Sequence, residues 1–415
     1  MLKVIEANNL ALPERVPFDQ VTSNQAAAIV AAVRKGGVEQ LRATAERLGD
    51  IAPGDPMFLG REELDAALLS LDENSIGVLT RTHDRIRAFA DAQRAAIQDV
   101  AIDVPGGRAG HSVTPVRAAG CYAPGGRFPL PSSVLMTVVT ARAAGVETVW
   151  VASPRPTPVT LAAAAIAGAD GVLAVGGAQA IAAMALGCGP IPKCDAVVGP
   201  GNRWVTAAKA LVSDTTRIDM LAGPSELLVI ADDSADPATI AADLLAQAEH
   251  DPDAVPILVA LNAELVGRVN AELEKQLAVL PTADTARPAL LNGFATVVDT
   301  PEEAAELSNR LAPEHLQVVT REPNAVAALC REYGGLFIGE RSAEVFGDYG
   351  AGPNHTLPTG GTARFSGGLS VFNFLAVRTW LNLDDAEPLM ADTVALARME
   401  GLEGHARAAE ARKRR

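Results

Sequence analysis

The sequence predicts an α/β chain built on two doubly wound parallel sheets, and three observations predict it. Downstream of Gly120, short apolar runs alternate with stretches of helical period, the pattern of successive strand–helix units. A second alternating series begins at Leu221. The chain has 415 residues, 48% hydrophobic and only 4% aromatic, so it is long enough for two or three cores and suited to alanine-rich helices packed closely on sheets.

In order, residues 1 to 20 read as an arm, because Leu12 to Pro17 holds two prolines and no sustained period. Apolar residues at helical spacing predict helices across 23–47 and 61–97, and VPGGRAGHSVTPV at 104–116 reads as strand and turn. The first alternating series places helices at 132–144, 157–167, 178–186 and 204–211, with strands at 147–152, 171–175 and 195–198. The turns VGGAQ (175–179), VGPGN (198–202) and AGPSE (222–226) are expected at the carboxyl ends of strands, where open α/β sheets bind ligands. The second series gives strands at 227–231, 255–261, 295–299, 316–320 and 335–339, with helices at 302–311 and 324–333. The Gly- and Pro-rich tract 347–368 is too long for an idle connection and reads as functional. The last forty or so residues read as helical, ending in the basic HARAAEARKRR.

A formal net charge of −15 argues against nucleic acid, which needs a basic footprint. Four cysteines without CxxC spacing fit a reduced, cytoplasmic setting. MLKVIEANNL lacks the blocks of an export signal, and the apolar stretches are too short and too broken to span a bilayer, so no membrane partner is expected.

The chemistry concentrates in residues 221–250. Asp236 and Pro237 form an N-cap and first helical position, and Ile240, Leu244, Leu245 and Ala248 make the buried stripe. Asp243, Gln247 and His250 then share the other face, either as a ligand-binding set or as an ordinary solvated face. Only six histidines occur; His250, His315, His355 and His405 lie in unusual contexts, whereas His83 sits in a charged helix. Glu314 and His315, an adjacent acid and imidazole between Pro313 and a strand, suit proton transfer at neutral pH. Asp348, Gln247 and His250 qualify chemically as metal ligands. The sheets are Rossmann-like in grammar, yet neither GGAQA nor GPGNR has the GxGxxG spacing of a dinucleotide fingerprint.

Seven segments carry a resemblance: AGCYAPGG (119–126), GGAQAIAAMA (176–185), GPGNRWVTAAK (199–209), LAGPSELLVIADDSADP (221–237), LLAQAEHD (244–251), LAPEHLQ (311–317) and GPNHTLPTGGTARFS (352–366). Together they resemble the histidinol dehydrogenase family, from about residue 25 to 406. That resemblance implies a zinc-requiring, NAD-dependent homodimer that oxidises an amino alcohol through an aldehyde to a carboxylate. It implies one Zn2+ per subunit held by Gln247, His250, Asp348 and His405, the last from the partner subunit, with Glu314 and His315 as the catalytic pair. Ser225, His355 and Glu400 are implied as further substrate contacts beside His315 and the zinc ligands, and Tyr122, Gln179 and Asn202 as NAD contacts. The zinc that the resemblance implies is a template that positions substrate. The implied domains are a discontinuous catalytic and zinc domain (21–120 and 226–366), an inserted NAD domain (121–225) and a helical dimerisation tail (367–415).

Two regions, GRAGHSVTPVRAAGCYAPGGRFP and GGLSVFNFLAVRTW, lean instead toward paralogues that oxidise sulfopropanediol. Glu400 suits a substrate amine, whereas a sulfonate calls for basic contacts such as His111 or Arg117. Histidinol is therefore the expected substrate and a small hydroxy-sulfonate the alternative.

Overall fold

A computed structural model describes residues 1–7, 10, 17–125 and 129–412. The proline-containing stretch 12–16 and the basic end 413–415 lie outside the described residues. In chain order the first elements are β1 (Lys3–Val4), α1 (Gln20–Leu48), β2 (Phe58–Leu59), α2 (Arg61–Leu69), α3 (Glu73–Ala95), β3 (Val100–Val104) and β4 (Gly107–Pro115). Next come β5 (Ala118–Tyr122), α4 (Pro131–Ala144), β6 (Thr148–Ala152), α5 (Pro158–Ala167), β7 (Gly171–Leu173), α6 (Gly177–Leu186), β8 (Ala196–Val198), α7 (Arg203–Val212) and β9 (Arg217–Ile218). The second half runs β10 (Glu226–Ala231), α8 (Pro237–Ala248), β11 (Val255–Ala260), α9 (Ala263–Leu277), α10 (Ala283–Asn292), β12 (Phe294–Val297), α11 (Pro301–Leu311) and β13 (His315–Val319). It ends with α12 (Pro323–Ala327), β14 (Gly335–Ile338), α13 (Glu344–Asp348), β15 (Leu375–Leu383), α14 (Glu387–Met399) and α15 (Glu403–Glu410).

Two six-stranded sheets form, as the alternation predicts. The first has the order β2-β7-β6-β5-β8-β9, parallel except at β2, and the second is the all-parallel β1-β12-β11-β10-β13-β14. Strands such as ELLVIA and VPILVA are buried along their length, because helices cover both faces. Alanine-rich α5 and α6 are buried over most of their surface, which lets helix and sheet backbones approach closely.

Three expectations need correction. A third, antiparallel sheet β15-β4-β3 exists, so 375–383 is strand and not helix; its apolar residues alternate, and the outward ones, Val377 and Leu381, are exposed. The helix expected across 324–333 stops at Ala327. The helices of residues 20–95 pack on the first sheet's helices, α1 on α6 and α7, α2 on α5 and α3 on α4, instead of joining the second sheet. Strand β2 extends the first sheet in the same way.

Candidate active site

The two sheets contribute to the site from opposite ends. On the first, the informative turns follow strands: Gly176 and Gly177 lie beyond β7, and Gly199 to Asn202 lie between β8 and α7. They meet at Tyr122, the last residue of β5. The Gly177 N–H donates to the Tyr122 hydroxyl oxygen at 3.2 Å. Gly199, at φ +115°, packs so closely that an added Cβ would fall 2.0 Å from the Tyr122 carbonyl oxygen. Burial raises the Tyr122 phenol to about 12, so it remains a neutral donor. Gln179 is only 1% exposed beneath the turn, its Nε2 donating to Asp50 Oδ2 at 2.8 Å while its Oε1 has no partner. Asp50 also accepts from Gly176 N at 3.0 Å. Asn202 is exposed and caps α7, its Oδ1 accepting from Trp204 N and Val205 N at 3.1 and 3.2 Å.

On the second sheet the chemistry lies at the amino ends of strands, contrary to the carboxyl-end expectation for AGPSE. Glu226 opens β10 and His315 opens β13, its paired neighbour. Helix α8 runs back to this end, so Gln247 and His250 arrive at its C-terminus. Asp243, on the same face, accepts from Gln317 Nε2 at 2.8 Å and is buried, not solvated; burial raises its carboxyl to about 6.

Asp348, the last residue of α13, stands between two imidazoles: His250 Nε2 lies 3.6 Å from its Oδ2 and His315 Nε2 lies 3.6 Å from its Oδ1. Burial opposes its ionisation, but the two histidines outweigh burial and hold the carboxyl well below the usual range. The same carboxylate raises His250. His355 joins through Nδ1, 2.9 Å from the Asp348 carbonyl oxygen, and Nε2, 3.3 Å from Ser133 Oγ.

His315, 4% exposed, has Nδ1 at 3.0 Å from the Glu226 carbonyl oxygen. That acceptor requires the proton on Nδ1 and turns Nε2, which has no hydrogen-bond partner, toward Asp348. Burial pushes His315 down, and Glu314 and Asp348 outweigh it and raise it. Burial raises Glu314 to about 7, within reach of proton exchange at neutral pH.

Sequence reading missed Glu226, the brace of this pair. Its N–H donates to Glu314 Oε2 at 2.8 Å, its Oε2 accepts from Glu314 N at 3.4 Å, and its Oε1 accepts from Gly360 N at 3.0 Å. A signal was available: a charged residue at the head of the apolar run ELLVIA is buried and therefore needs partners. Asp50 and Ser133 are joined to site residues only by the fold and carry no such signal.

The residues present fit a divalent cation. The Gln247 carboxamide is 1% exposed with its Nε2 unpartnered, and amide ends are interchangeable by rotation. The 3.6 Å between His250 and Asp348 is too long for a hydrogen bond and near the roughly 3.3 Å separating two ligands of one tetrahedral zinc at ~2.0–2.1 Å bonds. Among the described residues no three His, Cys, Asp or Glu side chains gather as a closed cage, so one chain alone offers an amide, an imidazole and a carboxylate. His405 and Glu400 are exposed at the far end of the chain, on or beside the paired α14 and α15. Ser225, half-buried, immediately precedes Glu226.

Comparison with known proteins gives a consistent result. The family model described as histidinol dehydrogenase matches residues 14–413. A histidinol dehydrogenase of Thermus thermophilus is 45% identical over 402 residues, covering 95% of this chain and 96% of the relative. One of Geobacillus kaustophilus is 43% identical over 392 residues, with 92% of each chain covered. The crystal structure of histidinol dehydrogenase from Elizabethkingia anophelis superposes with a TM-score of 0.93 at 30% identity, covering 99% of this chain and 98% of that one.

Proposed function

The chain belongs to the histidinol dehydrogenase family, and from that premise we propose that it oxidises L-histidinol through histidinal to L-histidine with two NAD and a bound zinc ion. The observation that carries this reading is the convergence of Glu314, His315, Asp348 and His250 at one strand end, with the unpartnered His315 Nε2 facing the carboxylate. In balance, R–CH2OH, two NAD and one water give R–COO−, two NADH and three protons.

Gln247, His250 and Asp348, with the partner subunit's His405, would hold the zinc. Bound there, zinc would supply positive charge to anchor the substrate's amine and imidazole and would offset the Asp348 charge, which together with the larger effect of Glu314 raises His315. His315 Nε2 would take the alcohol proton, and bound NAD would supply the hydride acceptor. Glu314, poised near neutrality, takes a proton from the water that adds to the aldehyde, and a second hydride leaves. Glu226 orients both groups, through its carbonyl on His315 and its N–H on Glu314. Ser225, His355 and Glu400 contact the substrate, and Tyr122, Gln179 and Asn202 shape the NAD site on the first sheet.

Homodimerisation fits the apolar surface left uncovered. Val100, Ile102, Val377 and Leu381 are exposed on the antiparallel sheet, and Leu396, Met399 and Leu402 on the tail. Among the described residues no helix is long and apolar enough to cross a membrane.

The hydroxy-sulfonate alternative is not favoured. The curated relatives bear the name histidinol dehydrogenase, and His111 is occupied on the antiparallel sheet, its Nε2 3.1 Å from the Gln98 carbonyl oxygen. The test is NADH yield. Two NADH per L-histidinol, abolished by a chelator and restored by zinc, is expected; turnover of dihydroxypropanesulfonate without turnover of histidinol overturns the reading.

A further inference from the structure

Behind the Gly199 turn lies a charged pair that the chemistry above does not use. Lys209, on α7, is 2% exposed and ion-paired to the Asp219 carboxylate, whose side chain is fully buried. Lys209 Nζ also donates to the Gly199 carbonyl oxygen at 3.0 Å, and Asp219 Oδ2 accepts from the Gly199 N–H at 2.7 Å. Both polar groups of one backbone residue are thus taken by the pair. Asp219 Oδ1 accepts in addition from Met220 N at 2.8 Å, at the start of the linker into β10. A second tie runs parallel to it, because Thr206 Oγ1 on α7 donates to the Ala222 carbonyl oxygen at 3.0 Å. Further along, Gly223 N donates to Thr359 Oγ1 at 2.6 Å.

An apolar pair of similar volume would serve stability as well as a buried ion pair does. What charge adds is direction: fixed donors and acceptors aimed at two backbone segments. One segment is the turn at the carboxyl end of β8. The other is the linker that leads to Glu226, which orients Glu314 and His315.

We propose that Lys209 and Asp219 are positioning residues that pin the Gly199–Asn202 turn to the 219–225 linker, holding the bound cofactor at a fixed separation from the acid–base pair. The proposal rests on the reading of that turn as part of the NAD site. Hydride transfer depends steeply on the separation and alignment of donor and acceptor carbons, so loosening the pin slows that step without touching a group that contacts the alcohol.

The test uses the full-length, zinc-loaded protein. Removing one partner strands a buried charge, so the double variant Lys209→Met, Asp219→Asn is the informative one. NAD affinity is expected to weaken roughly tenfold and kcat at saturating NAD to fall by a similar factor, the scale of a lost backbone hydrogen bond. Zinc content and the KM for histidinol are expected to stay unchanged. The isotope effect with histidinol deuterated at the reacting carbon is expected to rise as hydride transfer becomes limiting. A lower Tm with unaltered NAD affinity, kcat and isotope effect overturns the proposal, since purely structural support would give that result. If the double variant does not fold, Thr206→Val cuts the parallel tie without touching a charge. The same quantities are then expected to move about twofold to threefold, and no change overturns the proposal. Asn202→Ala separates the two levels of the argument. NAD binding weakened there but unaltered in the double variant overturns the pin alone; NAD binding unaltered in both overturns the NAD reading of the turn as well.

Discussion

The first sheet meets the site with the carboxyl ends of its strands and the second with its amino ends, and the polarity of the attached helices reverses accordingly. Beyond β7 and β8 the chain enters α6 and α7 at their N-termini, where the helix dipole favours an anion such as a dinucleotide's phosphates, with Asn202 Oδ1 already accepting from two N–H groups of α7. At β10 and β13 the neighbouring helix end is the C-terminus of α8, whose dipole favours a cation, and Gln247 and His250 sit there. The charges follow the same division. The first region keeps its buried charge in a matched pair, Lys209 with Asp219. The second crowds Glu226, Asp243, Glu314, Glu344 and Asp348 together, and the ion pairs of Glu314 and Asp348 among the described residues are with histidines. A matched pair leaves little net charge behind the turn; an acidic excess beside imidazoles makes an environment that favours a cation.

The comparison breaks most visibly if the second region's chemistry is not carried by its side chains. Replacing His315 with Asn removes the Nε2 lone pair while keeping a donor toward Glu226, and is expected to lower alcohol oxidation by about 10³-fold. Glu314→Gln is expected to spare histidinol oxidation to the aldehyde and to slow histidinal oxidation by a similar factor. Single-turnover measurements started from histidinol and from histidinal separate the two steps. If both variants impair only the alcohol step, the assignment of water activation to Glu314 falls.

The first region depends on backbone shape, so the next largest effect comes from a single methyl group. Gly199 holds φ +115°, outside the range natural to residues with a Cβ, and the new atom would lie 2.0 Å from the Tyr122 carbonyl oxygen. Gly199→Ala is expected to cost about 1–3 kcal/mol from strain alone and to weaken NAD binding at least tenfold. Wild-type affinity in a dialysis measurement would show that the turn does not shape that site.

The same contrast explains what the sequence made legible. Strand–helix alternation depends on local period, so both parallel sheets could be anticipated, and the long apolar run ELLVIA announced a buried strand. Within the antiparallel sheet the hairpin of β3 and β4 is local and overlaps the strand-and-turn reading of 104–116, whereas the pairing of β4 with β15 could not be anticipated, because these strands lie more than 250 residues apart and their register belongs to no local window. The polar face Asp243–Gln247–His250 was visible as a stripe, but that Asp243 and Gln247 are buried, Asp243 against Gln317, while His250 stays exposed beside Asp348, depended on tertiary packing. Asp50 reaches Gln179 because α1 packs on α6, a contact no spacing encodes.

A smaller effect tests the acidic excess directly. Glu344 is buried with Oε2 unpartnered, and burial followed by the Asp243 charge raises it to about 7. A carboxyl raised in the fold contributes its stability when protonated; that contribution is complete below the unfolded value of about 4.3 and is lost as pH climbs toward about 7. In metal-free protein Glu344→Gln, which mimics the protonated form, is therefore expected to gain Tm relative to the parent across that window. A difference that stays constant with pH would mean that Glu344 is not strained by its charge.

The smallest expected effect is at Asn202, where the two regions differ in what a side chain is for. Its Oδ1 accepts from Trp204 N and Val205 N, so the residue closes the N-terminus of α7 with its own side chain. Asn202→Ala removes that cap and is expected to cost about 1 kcal/mol, read as a modest fall in Tm. If the turn also receives NAD, the amide N–H groups freed at 204 and 205 lose their fixed orientation, and NAD affinity is expected to drop a few-fold while zinc content and the pH profile of alcohol oxidation stay as in the parent. A change in zinc content or in that pH profile would mean that the two strand-end regions are coupled through the α7 cap, and the division between a backbone-shaped cofactor half and a side-chain-driven chemical half would have to be redrawn.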